Sequence, residues 1–457
     1  MFGGDNTRKL LLAGYAILVK LIVAQGRVLA PMVDAKDPSF VIPGQYIIVL
    51  NDGDVHTDAF LQHEVWLTTL ISAGEPDESE VEHKFKIDGL EGYSGKFSER
   101  MIAKIRERSE VKYVEPDQIM YALDMVDGKT RKSFLQEASR GKNGMIRKSS
   151  LKRTTNGKET GKKSTVKKQM NAPWGISRVS HGNMPTELSR YHYPRSAGKG
   201  VDVYVIDTGI NIAHADFEGR AKWGATIPFG DVDIDGNGHG THCAGTIASK
   251  TYGIAKRAHV IAVKVLRTNG FGTNADVIKG VEWTIAAAKR GAKMGRRSAA
   301  NMSLGGGRSL TLENVVNKAV KNGVHFAVAA GNDNEDACEY SPAGAEGPIT
   351  VGASTNRDIM AFFSNHGPCV DIFAPGMDIT STWVGSRRAV NTISGTSMAS
   401  PHVAGVLALY LSEKDYAPKE LKKMLIEHAN SGLLEELPEE TINRLLSTRH
   451  LLETLAH

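Results

Sequence analysis

Apolar and polar positions follow two different periods in the N-terminal part of the chain. Residues 45–50, 81–88 and 111–122 carry the alternating pattern of half-buried β-strands. Residues 58–73 and 98–109 carry the wider spacing of amphipathic helices, and Ser98 is placed to cap the second of them. This order of elements fits a split βαβ arrangement. The pattern therefore predicts a small α+β, ferredoxin-like domain over residues 40–122.

From residue 201 onward, short apolar runs alternate with longer helical patterns. This alternation predicts an α/β domain over residues 171–457, with a mostly parallel sheet and helices on both faces. The predicted strands are 201–206, 260–266, 299–303, 324–329 and 349–351, and the predicted helices are 239–249, 274–288, 311–321 and 397–411.

The segment between these two domains has a different composition. Residues 123–170 hold fourteen Lys or Arg and four acidic residues, although the whole chain carries a net charge of only +5. A segment with so few apolar positions cannot bury enough surface to fold, so we expect a basic disordered linker. A nucleic-acid-binding tail is the alternative, but a linker between two domains is more readily a proteolytically cut connector. Its dibasic pairs are Arg131-Lys132, Arg147-Lys148, Lys152-Arg153, Lys162-Lys163 and Lys167-Lys168.

The N-terminus has the features of a secretory signal peptide. Arg8 and Lys9 precede an apolar run over residues 10–24, and small residues follow at 28–30. Lys20 interrupts the run, which makes it a poor membrane span. A signal anchor or a buried helix is the alternative. We therefore expect a cleaved signal over residues 1–30, no stable membrane insertion, and a secreted, vacuolar or cell-surface protein.

Three segments place candidate chemical groups where strands end or helices begin. Asp207 ends an apolar strand, His239 begins a helical pattern, and Ser397 lies where a loop enters an apolar helix. Taken singly, they could be a turn residue, a surface histidine and an N-cap serine. Together they supply a nucleophile, a base that takes its proton, and a carboxylate that orients the base.

The residues around these positions carry a family resemblance. DTG at Asp207, HGTH at His239 and GTSMASPH at Ser397 resemble the signature motifs of the subtilisin-like serine proteases. The resemblance begins near residue 172 and is strongest to the proteinase K group and its fungal vacuolar, cerevisin-like type. It implies a monomeric serine endopeptidase that acts on proteins and peptides and needs no cofactor for catalysis. A catalytically silent wall or surface homologue is the alternative.

The same resemblance assigns roles to further residues. Asn332 would donate its amide N–H to the oxyanion. An edge strand that pairs with the substrate backbone would give broad specificity, and small pocket residues would favour apolar or aromatic side chains. The sequon at Asn301 lies in a pocket wall, so we expect it to be unmodified. The implied walls are Ser303, Leu304 and Gly305 on one side and Ala329, Ala330 and Gly331 on the other, and the implied edge strand is Gly270, Phe271 and Gly272, preceded by Asn269.

The three cysteines and one aspartate complete the implied features. Cys243 would be a buried thiol beneath His239, while Cys338 and Cys369 match the disulfide of the vacuolar subgroup. Asp371 resembles a calcium-binding aspartate whose partners would be backbone carbonyls near residues 346 and 348. An ordinary solvated or capping aspartate is the alternative to a structural calcium ion.

Residues 40–122 resemble the inhibitor pro-domain of these proteases. The resemblance implies an intramolecular chaperone whose C-terminal tail blocks the active site until self-cleavage releases it. The family usually joins the two domains by a short link, whereas this chain has the basic segment between them. We therefore expect a first cut near Ala122, a last cut near Met170, and trimming between them by a dibasic-specific convertase.

Overall fold

The computed structural model describes residues 23–24, 27–51, 59–72, 79–123 and 165–456. The chain forms two compact units, one from residues 1–36 and 41–117 and the other from residues 37–40 and 118–457. Most of the predicted signal peptide, and residues 124–164 of the predicted linker, lie outside the described residues. Among the residues described, no helix is both long and apolar enough to cross a bilayer.

The first unit has the β-α-β-β-α-β order that the sequence pattern indicates, and its sheet order is β6-β3-β5-β4. Its core includes Ile48, Leu67, Tyr93 and Ile105, which come from two strands and both helices. The elements are β1 (Val23–Ala24), β2 (Arg27–Val28), β3 (Val41–Leu50), α1 (Ala59–Ser72), β4 (Glu80–Ile87), β5 (Leu90–Lys96), α2 (Glu99–Arg106) and β6 (Val111–Ala122).

Two local features shape this unit. The hydroxyl of Ser98 accepts a hydrogen bond from the Met101 N–H at 3.1 Å, which is the predicted cap of α2. Asp88 and Gly89 both have positive φ angles, 49° and 83°, and close a two-residue hairpin between β4 and β5. Strand β5 has no counterpart in the strands predicted above.

The second unit is built on a nine-stranded sheet of order β10-β11-β9-β13-β15-β17-β18-β22-β21. Every neighbouring pair in it is parallel except β21 with β22. Its strands are β9 (Val201–Asp207), β10 (Ala221–Thr226), β11 (His259–Lys264), β13 (Arg297–Met302), β15 (His325–Ala329), β17 (Ile349–Ser354), β18 (Ile372–Pro375), β21 (Asn430–Ser431) and β22 (Arg444–Leu445).

Seven helices and seven further strands complete this unit as described. The helices are α3 (Trp174–Val179), α4 (His239–Ala248), α5 (Asn274–Ala292), α6 (Leu310–Lys321), α7 (Thr396–Glu413), α8 (Pro418–Glu427) and α9 (Arg449–Ala456). The strands outside the large sheet are β7 (Val166–Met170), β8 (Arg190–Pro194), β12 (Phe271–Thr273), β14 (Leu304–Gly307), β16 (Tyr340–Ser341), and the hairpin of β19 (Ile379–Thr382) with β20 (Val390–Ile393).

Helices cover both faces of the large sheet, as predicted. Val203 and Val205 of β9 join the core cluster that contains the buried residues of α4 and α7. The alternate residue Tyr204 contacts Trp283 of α5, and Ile206 lies against Gly280 of the same helix. Because successive side chains point to opposite faces, β9 is buried throughout and its sequence is a continuous apolar run.

The end of the predicted linker needs a correction. Residues 166–170 form β7, which pairs antiparallel with β8. Gln169 also donates a hydrogen bond to the carbonyl of Thr251 at 3.0 Å. The local composition is basic and polar, so the strand depends on a pairing partner that the segment's own pattern does not reveal.

Candidate active site

Asp207 and His239 lie side by side at the carboxyl end of β9. His239 Nδ1 is 2.8 Å from one carboxylate oxygen of Asp207 and 3.0 Å from the other, and both side chains are fully buried. Gly240 permits this approach, because a Cβ there would stand 2.2 Å from the Gly209 carbonyl oxygen. The carboxylate holds the imidazole with Nδ1 protonated, which leaves Nε2 as the basic nitrogen.

Asp235 is a residue of this site that the sequence analysis missed. Its carboxylate accepts hydrogen bonds from the Thr208 hydroxyl at 3.0 Å and from the N–H groups of Gly238 and Thr241 at 2.8 and 3.0 Å. The pKa of Asp235 is raised because burial disfavours its charge, while the hydrogen bonds from Thr241 and Gly238 oppose the shift. Asp235 thereby ties the turn after β9 to the first turn of α4, where His239 lies.

Ser397 is the second residue of α7 and is fully buried. Its hydroxyl donates to the carbonyl oxygen of Leu123. Its own carbonyl accepts from the Ser303 hydroxyl at 2.8 Å and from the Cys243 thiol at 3.5 Å. Cys243 Sγ also lies within 4.8 Å of ligand atoms of Asp207 and His239. The thiol is buried near His239, as the resemblance implied, and its contact with Ser397 also links the α4 and α7 sides of the site.

Asn332 follows β15 and contacts the same carbonyl group as Ser397. Its Nδ2 donates to the Leu123 carbonyl oxygen at 2.8 Å. Its Oδ1 accepts from the backbone N–H and the hydroxyl of Thr396, at 2.9 and 2.8 Å. Since a backbone N–H can only donate, the Thr396 contact fixes which amide atom faces Leu123.

Residues 118–122 are the C-terminal part of β6 and belong to the second unit, and Leu123 follows them directly. This strand lies between β12 and β14 and pairs antiparallel with both. The Ala122 N–H donates to the Gly270 carbonyl at 3.0 Å, and the Leu123 N–H donates to the Ser303 carbonyl at 3.2 Å. On the β12 side, the register pairs Phe271 with Tyr121, Gly272 with Met120 and Thr273 with Ile119. On the β14 side, it pairs Leu304 with Ala122, Gly305 with Tyr121 and Gly306 with Met120.

The Leu123 side chain occupies an apolar pocket and is 4% exposed. It clusters with Ala329 on one side. On the other side is Gly305, where a Cβ would lie only 3.0 Å from Leu123 Cδ1. Both belong to the pocket walls that the sequence predicts, and their small size creates the space for a leucine-sized group.

Ala330 and Gly331 directly precede Asn332, and their backbone groups make hydrogen bonds that hold this segment in place. The Ala330 carbonyl accepts a hydrogen bond from Asn365 Nδ2 at 3.0 Å, and the Gly331 N–H donates to the Thr396 hydroxyl at 3.2 Å. Asn365 Oδ1 also accepts from the N–H groups of Asp333 and Glu335, at 2.9 and 3.1 Å. Sequence reasoning did not find Asn365, which braces the backbone on both sides of Asn332.

Cys338 and Cys369 form a disulfide, as the resemblance implied, and Cys243 remains a buried thiol. The bridge joins the turn that follows Asn332 to the segment just before β18. It lies beside the apolar cluster that contains Ala330 and Phe373.

The oxygens considered for calcium hold a different cation. The ammonium group of Lys422 lies 2.8 Å from Asp371 Oδ2, 3.0 Å from the Glu346 carbonyl oxygen and 2.6 Å from the Pro348 carbonyl oxygen. These are the oxygens that the resemblance assigned to a metal. A calcium ion at that position would meet the positive charge of Lys422, so the residues present do not fit the ion.

Comparisons with known proteins agree with this geometry. A model of the subtilase family (Peptidase_S8) matches residues 198–446, and a model of peptidase inhibitor I9 matches residues 45–123. A subtilisin-like protease of Coccidioides posadasii is 47% identical over 440 residues, which cover 88% of this chain and 80% of that protein. The subtilisin-like serine protease Pen c 2 of Penicillium citrinum is 46% identical over 452 residues, covering 91% and 90%.

A solved structure of a cold-adapted subtilisin-like serine proteinase is also similar. It is 43% identical, with a TM-score of 0.56, and the match covers 61% of this chain and 98% of that one. The likeness therefore extends over nearly the whole of a subtilisin-like catalytic domain, and the inhibitor-type domain precedes it. This chain belongs to the subtilase family and is a subtilisin-like serine protease with an I9 inhibitor pro-domain.

Proposed function

We propose that Ser397, His239 and Asp207 are the catalytic triad of this protease and that Asn332 stabilises the oxyanion. The observation that supports these roles best is the position of the Leu123 carbonyl oxygen. It accepts hydrogen bonds from both the Ser397 hydroxyl and the Asn332 amide. A substrate carbonyl held in this way has the nucleophile on one side and a neutral, fixed donor on the other.

The proposed reaction assigns one step to each of these groups. Ser397 Oγ attacks the carbonyl carbon, and its proton passes to His239 Nε2 while Asp207 holds the Nδ1–H side of the ring. The negative charge that develops on the carbonyl oxygen is stabilised by Asn332 Nδ2 and, by resemblance to the family, by the Ser397 N–H. His239 then gives its proton to the departing amine. Water hydrolyses the acyl-enzyme by the same steps, and no cofactor takes part.

The first substrate is the chain itself. Leu123 lies where the residue before a cleaved bond would lie, so the first cut falls between Leu123 and Asp124. After this cut the tail 118–123 stays paired between β12 and β14 as a competitive inhibitor. This position is one residue beyond the cut expected from the sequence.

The final N-terminus of the mature enzyme follows from β7. A cut within residues 166–170 would remove part of a strand that pairs with β8. We therefore place the last cut at or before residue 165, and dibasic-specific trimming of the preceding basic segment remains part of the proposal. The pro-domain assists folding before it inhibits, as the family resemblance implies.

The substrate specificity is broad, with an apolar preference. Recognition through β12 and β14 uses main-chain hydrogen bonds, which every residue except proline can supply. The pocket around Leu123 excludes charged side chains because burying an unpaired charge is costly. A signal peptide would direct the enzyme to the secretory pathway and from there to the vacuole, the cell surface or the medium.

The direct test compares wild type with Ser397→Ala during expression. We expect Ser397→Ala to accumulate as uncut precursor, and wild type to yield two products, one of which ends at Leu123 by mass spectrometry. Ser394→Ala is the matched control, since the Ser394 hydroxyl hydrogen-bonds with the side chain and backbone N–H of Asp378, outside the proposed triad. A fluorophosphonate probe should label wild type and Ser394→Ala at Ser397. Normal processing of Ser397→Ala would refute the assignment, and an unlabelled mature wild type would favour a catalytically silent protein.

A further inference from the structure

Lys422 of α8 sits at the centre of three oxygen acceptors from separate parts of the fold. Its Nζ contacts the Asp371 carboxylate just before β18 and two backbone carbonyls, those of Glu346 and Pro348, just before β17. An ammonium group has three N–H donors, and the three acceptors match that number. The Lys422 side chain is 20% exposed and that of Asp371 19%, so the contact is largely shielded from water.

The neighbouring lysine shows that this arrangement is particular to Lys422. Lys423 is 75% exposed, and its salt-bridge partner is Glu427 on the same helix, at 3.7 Å. An exposed pair of this kind contributes little to stability. Lys422, by contrast, joins α8 to the starts of two neighbouring strands of the large sheet.

A divalent ion and a lysine cannot both occupy these oxygens. Calcium binds six to eight oxygen ligands at about 2.3–2.6 Å, and an ammonium at the same centre would repel it. The acceptors here are those that such an ion would use. The carboxylate is already neutralised by a charge that the chain itself carries.

We propose that Lys422 is a built-in cation, which replaces a structural metal ion at the oxygen cluster of Asp371, Glu346 and Pro348. This cluster therefore stays assembled when calcium is absent. Removal of the lysine side chain should convert the cluster into a divalent-cation site.

The cluster lies next to the strands that carry the active site. Asp371 Oδ2 also accepts from the Thr350 N–H at 2.9 Å, and the Asp371 N–H donates to the Thr350 carbonyl at 2.9 Å. Thr350 pairs with Val328 of β15, four residues before Asn332. Lys422 thus helps to hold the start of β17, which pairs with β15 ahead of Asn332.

The test uses mature enzyme inactivated with a sulfonyl fluoride, so that autolysis does not interfere. Thermal unfolding is measured with a calcium chelator and with millimolar calcium for wild type, Lys422→Ala and the control Lys423→Ala. We expect wild type and Lys423→Ala to respond equally to calcium. Lys422→Ala should have a lower Tm in chelator and recover about 2–6 °C more than wild type when calcium is added.

Two further variants separate the charge from the space it occupies. Lys422→Met keeps most of the side-chain volume, so its Tm should fall without recovery in calcium. In the double variant Lys422→Ala with Asp371→Asn, the recovery should disappear because the only carboxylate ligand of the cluster is lost. Calorimetric titration should find one more calcium ion bound to Lys422→Ala than to wild type.

The proposal is overturned if Lys422→Ala gains neither a larger calcium response nor an extra bound ion. Asp371→Asn gives an independent test should Lys422→Ala fail to fold. If calcium normally occupies the cluster, Asp371→Asn will show a smaller calcium-induced Tm shift than wild type. If Lys422 is the resident cation, the calcium-induced Tm shifts of Asp371→Asn and wild type should be equal.

Discussion

Thr396 determines which end of the Asn332 side chain faces the Leu123 carbonyl group. The Thr396 N–H and hydroxyl both donate to Asn332 Oδ1, at 2.9 and 2.8 Å. The opposite atom, Nδ2, is therefore held 2.8 Å from the Leu123 carbonyl oxygen. Thr396 directly precedes Ser397 in the sequence, so the orientation of the proposed oxyanion donor and the position of the proposed nucleophile depend on the same turn of α7.

Replacing Asn332 by alanine should mainly reduce turnover. An oxyanion donor stabilises the negative charge that forms during the reaction. Its loss should lower kcat by about 100- to 1,000-fold, with little change in KM. Thr396→Val keeps the backbone donor and removes the hydroxyl, so kcat should fall by only about tenfold. Steady-state kinetics on a peptide substrate measure both. A large rise in KM at constant kcat would show that Asn332 serves substrate binding instead.

Replacing Leu123 by alanine should slow the first processing step. The pocket formed by Gly305 and Ala329 would be left partly empty, which reduces the rate of cleavage by about 10- to 200-fold. Leu123→Met has a similar volume and should process at nearly the wild-type rate. Pulse-chase analysis of precursor and mature protein gives the rates. If Leu123→Ala and wild type are processed at equal rates, another side chain occupies the pocket during the cut.

Removing the disulfide should destabilise the mature domain without changing its chemistry. Cys338 and Cys369 are 31 residues apart, and opening a loop of this length costs about 3–4 kcal/mol of free energy of unfolding in the chain-entropy model. The double variant Cys338→Ser with Cys369→Ser should unfold at a lower denaturant concentration. Wild type in reductant should match it, while reductant should leave the variant itself unchanged. If reductant changes the denaturant midpoint of the double variant, the remaining thiol, Cys243, contributes to the stability difference.

His325 should make the catalytic domain less stable in acid. It is buried at the start of β15 and contacts the Tyr416 carbonyl, and burial lowers its pKa from 6.5 to about 4. The unfolded chain therefore binds more protons between these pH values, so the free energy of unfolding falls as the pH falls through this range. For one such group, the free energy of unfolding falls by up to about 1.4 kcal/mol for each pH unit.

The variant His325→Gln isolates this contribution. Its side-chain amide can still donate to Tyr416, but it cannot take up a proton in this range. Denaturant titrations at several pH values should show a shallower decline for His325→Gln between pH 6.5 and 4 than for wild type. His366→Gln, at a partly exposed position, is the control. An unchanged slope in His325→Gln would assign the acid sensitivity to other buried groups.

The five strands that the sequence predicts for the catalytic domain are recognisable because they are short, mostly buried runs in the middle of the large sheet. Strand β9 illustrates this, since all of its residues are buried. Strand β5 was missed because Gly92 and Gly95 interrupt its pattern, although the Asp88-Gly89 hairpin turn that precedes it is a recognisable signal. Strand β7 was missed because its apolar positions are too few to stand out from the basic segment.

The residues that arrange the site were harder to predict than those that react. Asp235 and Asn365 act through backbone N–H groups, and such contacts leave no pattern in the sequence. Lys422 reaches acceptors more than seventy positions away in the chain, at Glu346 and Pro348. A short sequence motif contains the groups expected to react. The partners of a supporting residue, by contrast, are distant in sequence and meet only in the folded chain.

If substrates bind as residues 118–123 do, the two-sided pairing limits which proteins the enzyme can digest. A chain that enters between β12 and β14 must offer its backbone on both edges, and a residue inside a native helix or sheet has already committed those groups. Folded proteins are therefore protected until a segment opens, whatever their sequence. On the proposed binding mode, the enzyme would discriminate by conformation and would preferentially digest chains that have lost their native structure.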